Sequence, residues 1–484
     1  MESGRLWLLS LSMTETNFMF ENRPNDIPST ELEVEGTVPA ALRGRFLANG
    51  PGRMQIDGQK LHVFDAYGRI LSAQFEDGRV ALVGRHVQTP LLEQELAKDA
   101  VVKRRLFANK PSRWSNLFDL DLGNSCMHNV YPFAGRVLAA QDPGHFILDP
   151  ESLAVTGRLD CSGLMKKGMS ATPMPRVDPA SNRLVLWLQK PGPKDTVTMV
   201  ELDETLEVAH QQTCKLPPGL LHDVTFTENF YVVSRFGALN VLKVLWGAAP
   251  VFSAIQFNEK TPVLHLIPRQ GGKPRTVPLP KRMHFHFFNA FEEDGSVVVD
   301  TIGYPGQVTF SSLFPDGERE RVGLPRTETP VPEVVRYRIS LETLHVEERV
   351  MPGIACEAPE VNRAVRGRPY RYGYASARTD KDVTIDPGAY VWFGGVGKLD
   401  FEQNEAEVWE APAGSSCSPP AFVPDPERSG EDAGFLLSWI QDPEEGRSSL
   451  AVFDAQDLER GPVARAQVPE LLGLISHTSF APAE

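Results

Sequence analysis

Short runs of β-branched and aromatic residues, none long enough for a buried helix, recur along the chain between glycines and prolines. Leu184-Val185-Leu186-Trp187-Leu188, Thr196-Val197-Thr198-Met199-Val200 and Ser296-Val297-Val298-Val299-Asp300 are three of them, and each has the length and side-chain shape of a strand. The 39 glycines and 40 prolines are spread rather than pooled, so they act as turns and not as a linker. Asp77-Gly78 and Asp294-Gly295 separate neighbouring runs, and this dipeptide tolerates the positive φ of a two-residue hairpin turn. The expected class is all-β. No internal repeat is visible, so periodicity alone does not separate a propeller from stacked sandwiches.

One segment breaks the pattern. Phe236 to Ile255 is mostly apolar with Lys243 as its single charge, and it reads either as a buried helix or as a surface patch that dips into a membrane. No stretch approaches the roughly 20 consecutive apolar residues of a spanning helix. The run Leu6 to Leu11 is too short, and too weakly flanked by positive charge, for a convincing signal peptide; a start at Met13 with the first twelve residues as an extension explains it equally well, and a cytoplasmic location is the default expectation.

With 41% hydrophobic residues in 484 the chain can bury a large core, as one big domain or two or three ordinary ones. A net charge of -14 argues against a nucleic-acid partner, and Lys103-Arg104-Arg105 reads as solvated surface. Five cysteines, Cys126, Cys161, Cys214, Cys356 and Cys417, lack CxxC spacing and fit reduced thiols.

A few of the eleven histidines sit in distinctive company. His222 opens His222-Asp223-Val224-Thr225-Phe226-Thr227-Glu228-Asn229, His286 opens His286-Phe287-Phe288-Asn289-Ala290-Phe291-Glu292, and His477 opens His477-Thr478-Ser479-Phe480. Before and between them stand Phe46-Leu47-Ala48-Asn49-Gly50-Pro51, His62-Val63-Phe64-Asp65-Ala66-Tyr67-Gly68, Arg85-His86-Val87-Gln88-Thr89, Ile267-Pro268-Arg269 and Arg368-Pro369-Tyr370-Arg371-Tyr372-Gly373-Tyr374. In this order, from about residue 30 to the end, the blocks resemble those of the carotenoid cleavage oxygenase family.

The resemblance implies a seven-bladed β-propeller over residues 21–484 as a single domain, with residues 1–20 as an extension and a cap of loops and helices over an axial metal site. Family members hold a non-haem Fe(II) with four histidines, supported by carboxylates that orient the rings. An apolar tunnel presents an alkene beside the metal, and dioxygen is the co-substrate. His222, His286 and His477 are thereby assigned as metal ligands.

The first ligand of the family lies in an AHPKxDP block, and the corresponding stretch here is Ala171-Thr172-Pro173-Met174-Pro175-Arg176-Val177-Asp178-Pro179. Anchoring on Ala171 puts Thr172 in the ligand's place, and anchoring on Arg176 puts Met174 there. The family's ANTNVV block corresponds to Cys126-Met127-His128-Asn129-Val130-Tyr131, which puts His128 where a threonine stands beside the open side of the iron. His128 either supplies the missing imidazole from another direction or hydrogen-bonds in a polar pocket without metal. Asp142 matches the family's first supporting glutamate but is one methylene shorter, Glu357 matches the second, and Pro419 takes the place of the third. Loss of an outer-shell partner costs ~10 to 100-fold in metal affinity, so weak iron binding is expected.

The leading expectation is a non-haem Fe(II) dioxygenase cleaving an apolar alkene, whether apocarotenoid, terpenoid or stilbene-like, with His222, His286, His477 and His128 at the metal and His128, Thr172, Asp142 and Glu357 as catalytic candidates. Two alternatives keep the fold. One is an oxygen-independent isoprenoid isomerase, cyclase or hydratase using Asp142, Glu357 or His128 as acid or base, and the other is a binding protein for an apolar ligand.

Overall fold

The structure, a computed structural model, describes residues 17–235, 237–256, 262–279, 282–305, 331–379 and 393–483. Its strands form seven antiparallel sheets of four to six strands, the blades of a propeller, with two small two-stranded hairpins outside them. The three runs singled out in the sequence lie in Arg183–Lys190, Asp195–Leu202 and Ser296–Pro305. Both Asp-Gly turns have the expected backbone, with positive φ at Asp77, Gly78, Asp294 and Gly295.

Burial changes across each blade for a physical reason. Middle strands such as Arg183–Lys190 and Gly434–Asp442 are covered on both faces by neighbouring blades and are buried almost throughout. The outer strand Val208–Leu216 has one solvated face, and its residues alternate.

Both chain ends close the ring. The C-terminal strand His477–Pro482 is the innermost of the first blade and pairs with Gly44–Arg53, while Glu33–Gly36 is the outermost of the seventh and pairs with Pro462–Val468. The seam is packed by Phe46, Trp439, Leu450 and Phe480, and burying each such side chain contributes about 1.5–3 kcal/mol.

The innermost segments of the seven blades meet at the axis, and the residues expected at the metal lie on them. Asn129–Phe133 follows His128, Ser170–Ala171 precedes Thr172, Thr225–Phe226 follows His222, Arg282–Glu293 carries His286, Ala355–Val361 carries Glu357, Ser416–Cys417 precedes Pro419, and His477 begins the last.

The cap comes from connections between blades. Helix Pro90–Lys98 starts where Thr89 accepts a hydrogen bond from the Leu92 amide and Pro90 supplies the first turn, and it stops at Asp99 with φ 46°. Its buried Glu95 pairs with Arg105 at 2.6 Å and accepts from the Tyr67 hydroxyl at 2.6 Å. Arg105 also donates to the Asp65 carbonyl, and Arg104 donates to the carbonyls of Asp119, Val244 and Ala249. Arg104 and Arg105 are therefore buried cap fasteners, against the expectation of solvated surface, because enough carbonyl and carboxylate acceptors converge on them to replace water.

Within Phe236 to Ile255, Phe236 lies outside the described residues. The rest forms no single buried helix: a hairpin pairs Ala238–Leu239 with Ile255–Gln256 around a five-residue helix, Val241–Leu245, and a short turn, Phe252–Ala254. Val244 faces inward while Leu242 and Trp246 are 67% and 57% exposed. Of the expected extension, residues 1–16 lie outside the described residues. Asn17–Phe20 make a turn whose Phe18 and Met19 pack against Met54, Val63 and Leu474. All five cysteines are buried and unpaired.

Candidate metal centre

Four imidazoles ring the propeller axis. The His128 and His222 ring centroids are 5.0 Å apart, His222 and His286 5.1 Å, His286 and His477 5.2 Å, and His477 and His128 4.9 Å. Nitrogens of His128, His222 and His286 all lie within 4.8 Å of one another. The Nε2 atoms of His222 and His286 face each other at 3.2 Å. Two imidazole nitrogens bound to one ion at ~2.1 Å stand roughly 3.0 to 3.4 Å apart, so this spacing fits two ligands of a single metal.

The best-supported ring is His286. Its Nδ1 meets Glu357 Oε2 at 2.7 Å, which sets the tautomer and leaves the Nε2 lone pair for a metal. Glu357 in turn accepts from the Tyr304 hydroxyl and from the Ala358 amide, each at 2.7 Å. Burial opposes charge on both partners, yet their mutual attraction prevails: His286 is raised above its usual range and Glu357 is lowered.

The other three rings are pushed the opposite way. Burial first, and then the neighbouring imidazoles, hold His222 and His477 well below the usual histidine range. Burial, aided by His286, brings His128 down to about 3. All three therefore stay neutral at physiological pH and keep a lone pair for a metal. His128 Nε2 is buried with no hydrogen-bond partner, an arrangement costly without a ligand. Neutral imidazoles, an orphaned inward nitrogen and one carboxylate behind the set suit a divalent transition metal.

Backbone position is enforced by a buried ion pair. Arg176, on the third blade, meets Asp223 at 2.8 Å and donates to the carbonyls of Phe287 and Phe288 at 2.5 and 3.0 Å. Asp223 also accepts from the Phe287 amide at 2.8 Å. Since Asp223 follows His222 and Phe287 follows His286, this knot sets the spacing of those two rings. Sequence reasoning used Arg176 only as an alignment anchor, although Asp223 stood in the quoted His222 block.

Thr172 lies close by but is turned to the backbone. Its hydroxyl donates to the His222 carbonyl at 2.7 Å and accepts from the Met174 amide at 3.0 Å. The Thr172 carbonyl accepts from His145 Nε2 at 2.7 Å, and His145 Nδ1 accepts from the Tyr131 hydroxyl at 2.9 Å. Thr172 is a positioning residue for His222, with His145 and Tyr131 behind it; Tyr131 closes the quoted His128 block, whereas no motif in the sequence pointed to His145. Met174 sits on the axis with its sulfur 3.5 Å from Asn129 Nδ2.

Asp142 and Pro419 both line the cavity, without the partners the family pattern would give. Among the described residues no hydrogen bond joins Asp142 to His222, and no carboxylate meets the His477 ring. Burial raises the Asp142 carboxyl to about 7. The Pro419 carbonyl accepts from the Thr478 hydroxyl at 2.9 Å instead.

The four imidazoles open onto a cavity of about 210 Å³ whose wall is largely apolar and includes the rings of Phe64, Phe107, Phe252, Phe285, Tyr304 and Phe393. Phe107 stacks on His62 and Phe252 with centroids 4.2 and 4.1 Å apart, so the wall is rigid as well as apolar. Leu106, Leu220 and Asp142 also line a second cavity of about 460 Å³, which leads outward past Leu239, Val241, Val251 and Ile255.

Comparison with known proteins agrees with this geometry. The family model described as retinal pigment epithelial membrane protein matches residues 20–482. An apocarotenoid-15,15'-oxygenase of Synechocystis is 29% identical over 476 residues, covering 96% of this chain and 95% of that protein. An isoeugenol monooxygenase of Pseudomonas putida is 29% identical over 462 residues, covering 92% and 93%. The solved structure of cobalt-substituted Synechocystis apocarotenoid oxygenase superposes with a TM-score of 0.87 at 28% identity, covering 97% of this chain and 99% of the other.

Proposed function

Because the chain belongs to the retinal pigment epithelial membrane protein family of carotenoid oxygenases, we propose that it is a non-haem Fe(II) dioxygenase that cleaves a double bond of an apolar alkene. The observation that carries this reading is the circle of four imidazoles, spaced 4.9 to 5.2 Å centroid to centroid, at the floor of an apolar cavity. His128, His222, His286 and His477 hold the metal, His128 entering where the family pattern has no ligand. Fe(II) bound there supplies dioxygen activation.

The protein's own residues do the rest. Glu357 fixes the His286 ring and offsets part of the metal charge, and Thr172 and the Arg176–Asp223 pair hold His222 in place. Phe107, Phe252 and Phe285 clasp a flat conjugated substrate and keep bulk water from the double bond. Cleavage consumes one alkene and one dioxygen and yields two carbonyl products, one oxygen atom in each. Relatives named for an apocarotenoid and for isoeugenol support two substrate classes, an apocarotenoid and a phenylpropene.

No helix among the described residues is long and apolar enough to cross a membrane. A peripheral contact is the proposed route for an apolar substrate. Trp114, Phe118, Leu242 and Trp246 are 80%, 69%, 67% and 57% exposed, and the Phe118 and Trp246 rings lie 6.1 Å apart beside the helix that lines the outer cavity.

The decisive test uses protein made in iron-supplemented cells. Iron is assayed first, then apocarotenals and isoeugenol are offered under ¹⁸O₂ and under argon. One iron per chain and labelled carbonyl products only with oxygen are expected. Near-zero iron in a folded protein would sink the proposal, and equal turnover under argon would replace it with the isomerase, cyclase or hydratase reading.

A further inference from the structure

A third, smaller cavity lies on the axis beyond the imidazoles. Along the inner strands the chain passes from the substrate cavity to this one: Glu357 and Ala358 lead to Pro359 and Glu360, His477 leads to Thr478 and Ser479, and His128 leads to Asn129 and Val130. The cavity has a volume of about 60 Å³, and Ala358, Pro419 and His477 belong to both walls.

Its charge is unbalanced. Arg176, Arg363 and Arg366 all line it. Arg176 is satisfied by Asp223 and two carbonyls. Arg366 donates one Nη to Glu360 at 2.9 Å, but its Nε is buried without a partner. The Arg363 side chain makes no hydrogen bond or ion pair among the described residues, so the three guanidinium groups here face two carboxylates. Burial above all, and then Arg363 and Arg176 against the pull of Glu360, bring Arg366 down to about 10.

Leaving a buried guanidinium edge unmet costs about as much as a lost charge-assisted hydrogen bond. An anion would remove that cost. A water needs roughly 10 to 15 Å³ of such space, so this cavity holds about four to six water-sized positions, enough for a planar oxyanion of three or four heavy atoms. The fork geometry of guanidinium matches a planar carboxylate with two parallel hydrogen bonds.

We propose that this axial cavity is a binding site for a small planar oxyanion, a carboxylate such as formate or acetate or else bicarbonate, held by Arg363 and the free edge of Arg366. It is distinct from the substrate cavity and does not depend on turnover. Because His477 forms part of its wall, the bound anion stands beside the imidazole whose family carboxylate is replaced by Pro419.

The test is calorimetric titration of the full-length protein with sodium formate, acetate, bicarbonate and sulfate at constant ionic strength. Saturable one-to-one binding of at least one planar anion, with sulfate at least about tenfold weaker, is expected. Arg363→Met should weaken it about tenfold or more, the loss of one charge-assisted contact. Glu360→Gln should tighten it by removing the competing carboxylate. This gain of binding does not depend on whether an arginine variant folds less well. No saturable heat with any planar anion, or binding unchanged by Arg363→Met and Arg366→Met together, would overturn the site. Binding of bicarbonate alone, or of carboxylates alone, supports it and identifies the source.

Discussion

The two sides of the proposed metal centre are held by different physics. His286 is gripped by charge: Glu357 accepts from its ring, and Tyr304 and the Ala358 amide hold Glu357 in turn. His128 and His477 meet no carboxylate among the described residues and are held by the packing and strand register around them, with His128 following the buried Met127 and His477 paired in register with Asn49. The charged side fixes a tautomer and places a carboxylate behind the ring. The packed side fixes only position, and among the described residues it leaves His128 Nε2 buried without a hydrogen-bond partner.

His128→Ala probes the packed side most severely. Removing an inner ligand should weaken iron binding by more than ~100-fold, beyond the ~10 to 100-fold of an outer-shell partner. Unchanged iron content in the purified variant would return His128 to a polar residue of the pocket.

Glu357→Gln tests the charged side. It keeps the shape and loses the charge, so iron affinity should drop ~10 to 100-fold in a competition assay with a chelator. An equal loss from Asp142→Asn would erase the contrast between the two sides.

Smaller still is Thr172→Val, which leaves the His222 carbonyl without its donor. A cost of about 1–3 kcal/mol is expected, read as a lower denaturant midpoint with a smaller change in iron affinity than for Glu357→Gln. An unchanged midpoint would mean that the Arg176–Asp223 pair alone positions His222.

Asp142→Asn should have the least effect on iron, less than about threefold, yet it should change the pH profile of stability. The fold raises this carboxyl from 3.8 to about 7, so the native state keeps a proton that the unfolded chain releases. Its contribution is therefore lost as pH climbs from about 4 to about 7 and is constant above that. Melting curves across this range should be flatter in the variant, and an identical slope would show that Asp142 titrates normally.

Much of this was legible in the residues. The strand runs and both Asp-Gly turns stand where side-chain shape and φ tolerance placed them, and the ordered histidine blocks pointed to a propeller. Lys103-Arg104-Arg105 misled, because a basic run looks the same whether water or carbonyls surround it. Arg104 and Arg105 are buried only because distant acceptors, Val244 and Ala249 for one and Asp65 and Glu95 for the other, come to meet them.

The sequence by itself determined which donor groups are available: four imidazoles, one well-placed glutamate and a proline where a carboxylate would stand are covalent facts. Tertiary structure alone decided the geometry. The rings of residues 128, 222, 286 and 477 face one another, and nitrogens of the first three come within one ion's reach, because blade closure carries four inner strands to a common axis. A side chain's direction there depends on register and on cross-blade contacts such as Arg176–Asp223, which no local run of residues encodes. For the same reason the sequence could name Thr172 but not show that its hydroxyl points to the His222 carbonyl, and it gave no sign that Arg363 and Arg366 share a cavity behind the metal.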